Sequence, residues 1–121
     1  MPYTFGPGVR LRVRGEFTEV QEHGRRIAMR YLVLIGAPNT LGRDRLGIIA
    51  SRRLGGAVVR NRAKRRLREL FRHREIVETA ASPGLTLDLV AIPRRELVTA
   101  PYLAVESEFV KALARLRTAR V

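Results

Sequence analysis

The stretch "VVRNRAKRRLREL", residues 58–70, crowds arginine and lysine onto one short segment and separates them with apolar side chains. At about 100° per residue, Val59, Ala63, Leu67, Leu70 and Phe71 fall on one stripe roughly 120° wide, the part that must pack on something. Asn61, Arg65, Arg68 and Arg72 follow i, i+4, i+7, i+11 and line the opposite side, flanked by Arg62 and Lys64. Between Arg52 and Arg74 the only acid is Glu69. A solvated charged helix normally interleaves acids at i,i+4, each pair contributing a few tenths of a kcal/mol. Here the cations are left to repel one another, which a phosphate backbone lying along them would relieve. Asn61 is a mediocre helix former away from a cap. On the cationic line it serves better as a donor and acceptor to phosphate, a base edge or a hydrated ion than for stability.

Working outward, Gly55-Gly56 precedes this helix, which the pattern predicts from about Ala57 to the neighbourhood of Ile76. Before the glycines, "RLGIIAS" (45–51) reads as a strand, with Leu46, Ile48 and Ala50 on one side and Arg45, Gly47, Ile49 and Ser51 on the other. "RRIAMRYLVLIGAP" (25–38) reads as another strand, ended by Pro38-Asn39. "RGEFTEVQEHG" (14–24) predicts a helix of about two turns stopped at Gly24. Residues 1–13, with two prolines and two glycines, read as an irregular arm. Downstream, "TLDLVAI" (86–92) is a strand closed by Pro93. "PYLAVESEFVKALARLR" (101–117) is an amphipathic helix with proline in its first turn and apolar residues at 102, 105, 109, 113 and 116. The whole is an α+β fold of one domain, residues 1–121: a small two-layer α/β sandwich in the order α-β-β-(β)-α-β-α.

Composition bounds the partners. A net charge of +13 on 121 residues favours nucleic acid or an anionic surface. The longest apolar run, about Tyr31 to Ala37, is too short to span a bilayer, and no secretory leader opens the chain. The large aromatics of a membrane-surface helix are also nearly absent from the basic helix. No cysteine is present, so disulfides, thiolate metal sites and a cysteine nucleophile are excluded, which suits a cytoplasmic location. All basic residues but Lys64 and Lys111 are arginine, which grips phosphate bidentately and stacks on bases. A helix-turn-helix reader would need a helix just before the basic one, whereas a strand precedes it. A two-metal nuclease needs clustered carboxylates. The only aspartates are Asp44 and Asp88, and the glutamates read as solvated helix residues. No base partner is evident for His73, and His23 beside the Gly24 stop reads as a helix C-terminal residue rather than a catalyst.

"SRRLGGAVVRNRAKRRLRELFR" (51–72) resembles the signature of the bacterial ribonuclease P protein subunit. Arg60, Asn61 and Arg62 match its Arg-Asn-Arg triplet, and Lys64, Arg65, Arg66 and Arg68 spread across the rest. "RLGIIASRR" resembles the strand before that helix, with Arg52 and Arg53 where lysines are usual, and "FTEV" resembles the first helix. The resemblance covers roughly residues 10–118. It implies a left-handed βαβ crossover, although the general rule is right-handed. It also implies a protein cofactor that joins a catalytic RNA to remove the 5′ leader of precursor tRNA. The RNA carries out the hydrolysis, with Mg²⁺ held mainly by RNA and substrate. No catalytic residue, tightly bound metal, small-molecule substrate or membrane is expected of the protein.

On this reading Arg52, Arg53, Arg60, Asn61, Arg62, Lys64, Arg65, Arg66, Arg68 and Arg72 bind RNA. Phe17, Tyr31, Arg45 and Ser51 line a leader-binding cleft between the first helix and the sheet, with Phe17 as stacking platform or core residue. A second aromatic four positions after Phe17 is common in the family; Gln21 stands here instead, which shifts the leader's grip toward the arginines or Tyr31. The alternative is a general structured-RNA or ribosomal RNA-binding protein with no role in cleavage.

Overall fold

The computed structural model describes residues 10, 11, 13–74 and 86–117. Its elements are α1 (Arg14–His23), β1 (Arg25–Ala28), β2 (Leu32–Asn39), β3 (Arg45–Ile48), a 3-10 turn (Arg52–Leu54), α2 (Ala57–Arg72), β4 (Thr86–Pro93), a short α3 (Glu96–Thr99) and α4 (Tyr102–Arg117). The four strands make one sheet in the order β1-β2-β4-β3. β1 with β2 and β2 with β4 are antiparallel, while β3 and β4 are parallel. Two adjacent parallel strands cannot be joined by a tight turn. The connection between them runs through α2, so the basic helix is the crossover element of a βαβ unit.

Strand alternation divides the core in two. Leu32, Leu34, Leu46, Leu87, Leu89 and Ala91 face α2 and α4, whose Ala63, Leu67, Phe71, Val105, Phe109 and Leu113 close over them. Val33, Ile35 and Val90 face the other way and are covered by Val20 of α1 and by Leu11. The predicted stripe of α2 is therefore the buried one, with Ala63, Leu67, Leu70 and Phe71 in the core and Val59 half-buried. The larger core lies beneath α2 and α4; α1 covers part of the opposite face.

Three sequence expectations need correction. The single strand over 25–38 is a hairpin, turning at Met29-Arg30-Tyr31. Glu108 of α4 makes that turn: its carboxylate accepts from the backbone N–H of Arg30 (3.0 Å) and Tyr31 (2.6 Å). The arm is not irregular to residue 13: Arg10 bridges Leu46, and the Leu11 N–H donates to the Leu46 carbonyl (3.1 Å) on the edge of β3. The order read from the sequence has no element between β4 and the final helix, where α3 carries the buried Leu97 and Val98. The expected end of the basic helix near Ile76 lies outside the described residues.

Candidate nucleic-acid interface

The approach to α2 is built by two local devices. Leu54 is buried and holds the 3-10 turn against the core, with its N–H donating to the Ser51 carbonyl (3.0 Å), and this leaves Arg52 and Arg53 exposed. Gly55 then adopts φ +147°, a conformation that a side chain would disfavour. α2 starts at once after Gly56 and presents Asn61, Arg62, Arg65 and Arg68 to solvent, with Arg60 and Lys64 half-buried at the margins. Arg52, Arg53, Arg60, Arg62, Lys64 and Arg65 make no ion pair or side-chain hydrogen bond with another described residue. These six side chains thus keep their charge unpaired within the described residues.

The structure separates two of the predicted RNA-binding arginines from this row. Arg72 donates to Glu69 at 2.8 Å. Glu69 also lies 3.1 Å from His73 Nδ1, so the histidine does have an acidic neighbour. His23 likewise pairs with Glu19 at 3.2 Å. Arg66 turns toward the protein, and its Nη1 donates to the carbonyls of Leu97 (2.9 Å) and Ala100 (2.6 Å).

The four residues assigned to the cleft are not brought together. Phe17 is half-buried on the α1 face, its ring laid over Gly47. A Cβ at Gly47 would stand 2.5 Å from Phe17 Cε1 and 2.6 Å from Cζ. Arg45 shares that face but is occupied: Nε and Nη2 grip both Asp88 oxygens at 2.8 Å, and Nη1 reaches Glu16 of α1 at 2.9 Å. Those acids raise the Arg45 pKa well above its ordinary value despite partial burial. Burial pushes the Asp88 pKa up, but hydrogen bonds from Arg45 and Asn39 outweigh it and hold it below the ordinary carboxylate range. This end of the face is a structural tie between α1 and the sheet. Ser51 is exposed at the other end, where the chain turns to Arg52. Tyr31 packs against the larger core on the far side of the sheet, because the Glu108-held turn carries it there. Ile49 and Ile92, half-buried beside Phe17, were not singled out from the sequence, and they extend the apolar floor. Alternation in "RLGIIAS" and "TLDLVAI" is the signal that places them on the Phe17 face.

Neither aspartate stands free. Asp44 accepts from Arg74 Nε (2.8 Å), from Arg117 Nη2 (2.6 Å) and from the Leu87 N–H (2.9 Å). Burial raises its pKa, yet these donors prevail and hold it below the ordinary range. Among the described residues no three of His, Cys, Asp and Glu gather where they could hold a metal ion. No helix among them is long and apolar enough to cross a membrane.

The family model described as Ribonuclease P matches residues 5–117. The ribonuclease P protein component of Petrotoga mobilis is 39% identical over 94 residues, 78% of this chain and 75% of that protein. The Staphylococcus aureus RNase P protein superposes with a TM-score of 0.72 at 28% identity, covering 90% of this chain and 97% of that one. The Thermotoga maritima RNase P protein gives 0.71 at 30% identity, covering 93% and 98%. Fold, basic crossover helix and sequence agree, and the chain belongs to the ribonuclease P protein family.

Proposed function

We propose that this chain is the protein cofactor of ribonuclease P, in which the outer face of α2 docks on the catalytic RNA and the α1 face of the sheet receives the 5′ leader of precursor tRNA. The observation that carries the reading is that Arg60, Arg62, Lys64 and Arg65 of α2 have no acidic partner among the described residues, on a helix whose other side is closed by the core. Guanidinium contacts to phosphate add affinity without sequence choice, as a subunit that accepts many leaders requires. Arg52, Arg53, Arg60, Asn61, Arg62, Lys64, Arg65 and Arg68 supply them.

The leader lies on Phe17, Ile49 and Ile92 and leaves toward Ser51 and Arg52. At the opposite end Arg45 is already neutralised by Asp88 and Glu16. A single strand holds to such a floor by stacking, worth about 1–3 kcal/mol per base. With Gln21 exposed on α1 and Tyr31 facing the other core, Phe17 is the sole aromatic of the platform among the described residues.

The Mg²⁺ that assists phosphodiester hydrolysis is held by RNA and substrate. This chain's part is to position the leader and neutralise phosphate. The purified protein alone is expected not to cleave precursor tRNA, and to raise cleavage by the catalytic RNA at low Mg²⁺. Cleavage by RNA-free protein would overturn the accessory role. Binding of RNA with no effect on cleavage would favour a general structured-RNA binder.

A further inference from the structure

Arg66 is the cation of α2 that faces the protein. Its two acceptors, the Leu97 and Ala100 carbonyls, lie at the end of α3, where a helix leaves carbonyls without intrahelical donors. Both residues are buried, so water does not readily replace the donor. The guanidinium also stands 5.9 Å from the centre of the Tyr102 ring at the start of α4. The segment it grips is fixed in turn: the Arg94 N–H donates to the Tyr31 carbonyl (2.8 Å) and Arg94 Nε to the Met29 carbonyl (2.9 Å). Arg66 thereby links the exposed cationic helix to a hydrogen-bonded frame made of α3, the β1–β2 turn and α4.

We infer that Arg66 is a positioning residue for RNA docking: it contacts no phosphate, and sets the attitude of α2 so that Arg62 and Arg65 meet phosphates in register. The inference rests on α2 being the docking face. The side chains at 62 and 66 are one helical turn apart, and 65 and 66 are adjacent. A slip of the helix at Arg66 therefore displaces its outward neighbours directly. Both bonds come from Nη1, at the far end of the guanidinium, and the shorter side chain of a lysine places its ammonium short of the two carbonyls.

The test is binding to a ribonuclease P catalytic RNA across a salt series, with thermal unfolding of each protein. For Arg65→Gln we expect wild-type melting and a plot of log affinity against log salt shallower by about 0.7–0.9, one phosphate contact. For Arg66→Gln, whose amide ends well short of the Nη1 position and leaves the clasp unmade, we expect earlier melting and a line parallel to wild type but displaced roughly tenfold to weaker binding, the equivalent of one lost charged hydrogen bond. Arg66→Lys keeps the charge and should still bind more weakly than wild type. A slope loss in Arg66→Gln matching that of Arg65→Gln, or full binding by Arg66→Lys, would make Arg66 a phosphate contact and overturn the inference. So would wild-type affinity in folded Arg66→Gln, which would leave a purely structural role. Unchanged slope in Arg65→Gln would instead defeat the docking reading itself, and the inference with it.

Discussion

Arginines do opposite work at the two ends of this molecule's charge distribution. Beneath the surface, Arg74 and Arg117 converge on Asp44, and Arg45 is locked between Asp88 and Glu16. On α2 the same residue type stands in a row that includes Arg60, Arg62 and Arg65, with no acid at bonding distance among the described residues. The paired arginines fasten elements distant in sequence: the loop before β3 to the ends of α2 and α4, and α1 to the sheet. Arg60, Arg62 and Arg65 make no such tie among the described residues and repel one another. Pairing, rather than residue type, separates the arginines that tie elements together from those of the proposed RNA-docking row.

The sharpest way to break this contrast is to remove the buried acid. Asp44→Ala leaves two nearly buried guanidinium groups without their counter-ion, and should cost about 3–5 kcal/mol in denaturant unfolding. A loss below about 1 kcal/mol, the size of a surface pair, would show that the cluster is not structural. Next comes Gly47→Ala, whose methyl group enters the space of the Phe17 ring. Overpacking of about 1–3 kcal/mol is expected, together with weaker binding of a single-stranded leader oligonucleotide. Unchanged leader affinity would remove Phe17 from the proposed floor.

Acid sharpens the comparison in a different way. Both Asp44 and Asp88 have folded-state pKa values below the unfolded value of 3.8. Their contribution is complete above that value and is lost as the pH falls through the lower, folded-state pKa values. Stability measured from neutral pH downward should hold level with respect to these groups and fall only below about pH 4, and Asp44→Asn should flatten that fall. An unaltered acid limb would deny Asp44 its role. The smallest effect on stability belongs to α2: Arg62→Ala with Arg65→Ala should change unfolding by no more than about 0.5 kcal/mol, while the salt slope of RNA binding falls by about 1.4–1.8 for two contacts.

How far the sequence discloses these roles depends on how local they are. The stripe Val59, Ala63, Leu67, Leu70, Phe71 repeats along one helix, so the buried and outer faces of α2, the strands β3 and β4 and the final helix are all readable from periodicity. The β1–β2 hairpin is not, because Met29-Arg30-Tyr31 carries no turn chemistry and its backbone donors are satisfied by Glu108, nearly eighty residues away. Arg45 looks like a cleft-lining cation for the same reason. Alternation shows which side of the strand it occupies, but Asp88 and Glu16 come from other elements and only the folded chain brings them together. At about 100° per residue Arg66 falls about 20° from Val59, at the edge of the buried stripe rather than on the cationic line. Its inward turn is therefore legible, but its acceptors at the end of α3, whose short span gives no periodic signal, are not. Residue type and face were legible; partnership across elements was not.

Lys64 and Lys111 are the chain's two lysines, one on α2 and one exposed on α4, and so offer a direct test. Amine acylation of the protein, free and bound to ribonuclease P catalytic RNA, would be read at each lysine by mass spectrometry. The account predicts that RNA suppresses modification of Lys64 and leaves Lys111 as reactive as in free protein. Protection of Lys111 with Lys64 still fully reactive would contradict it.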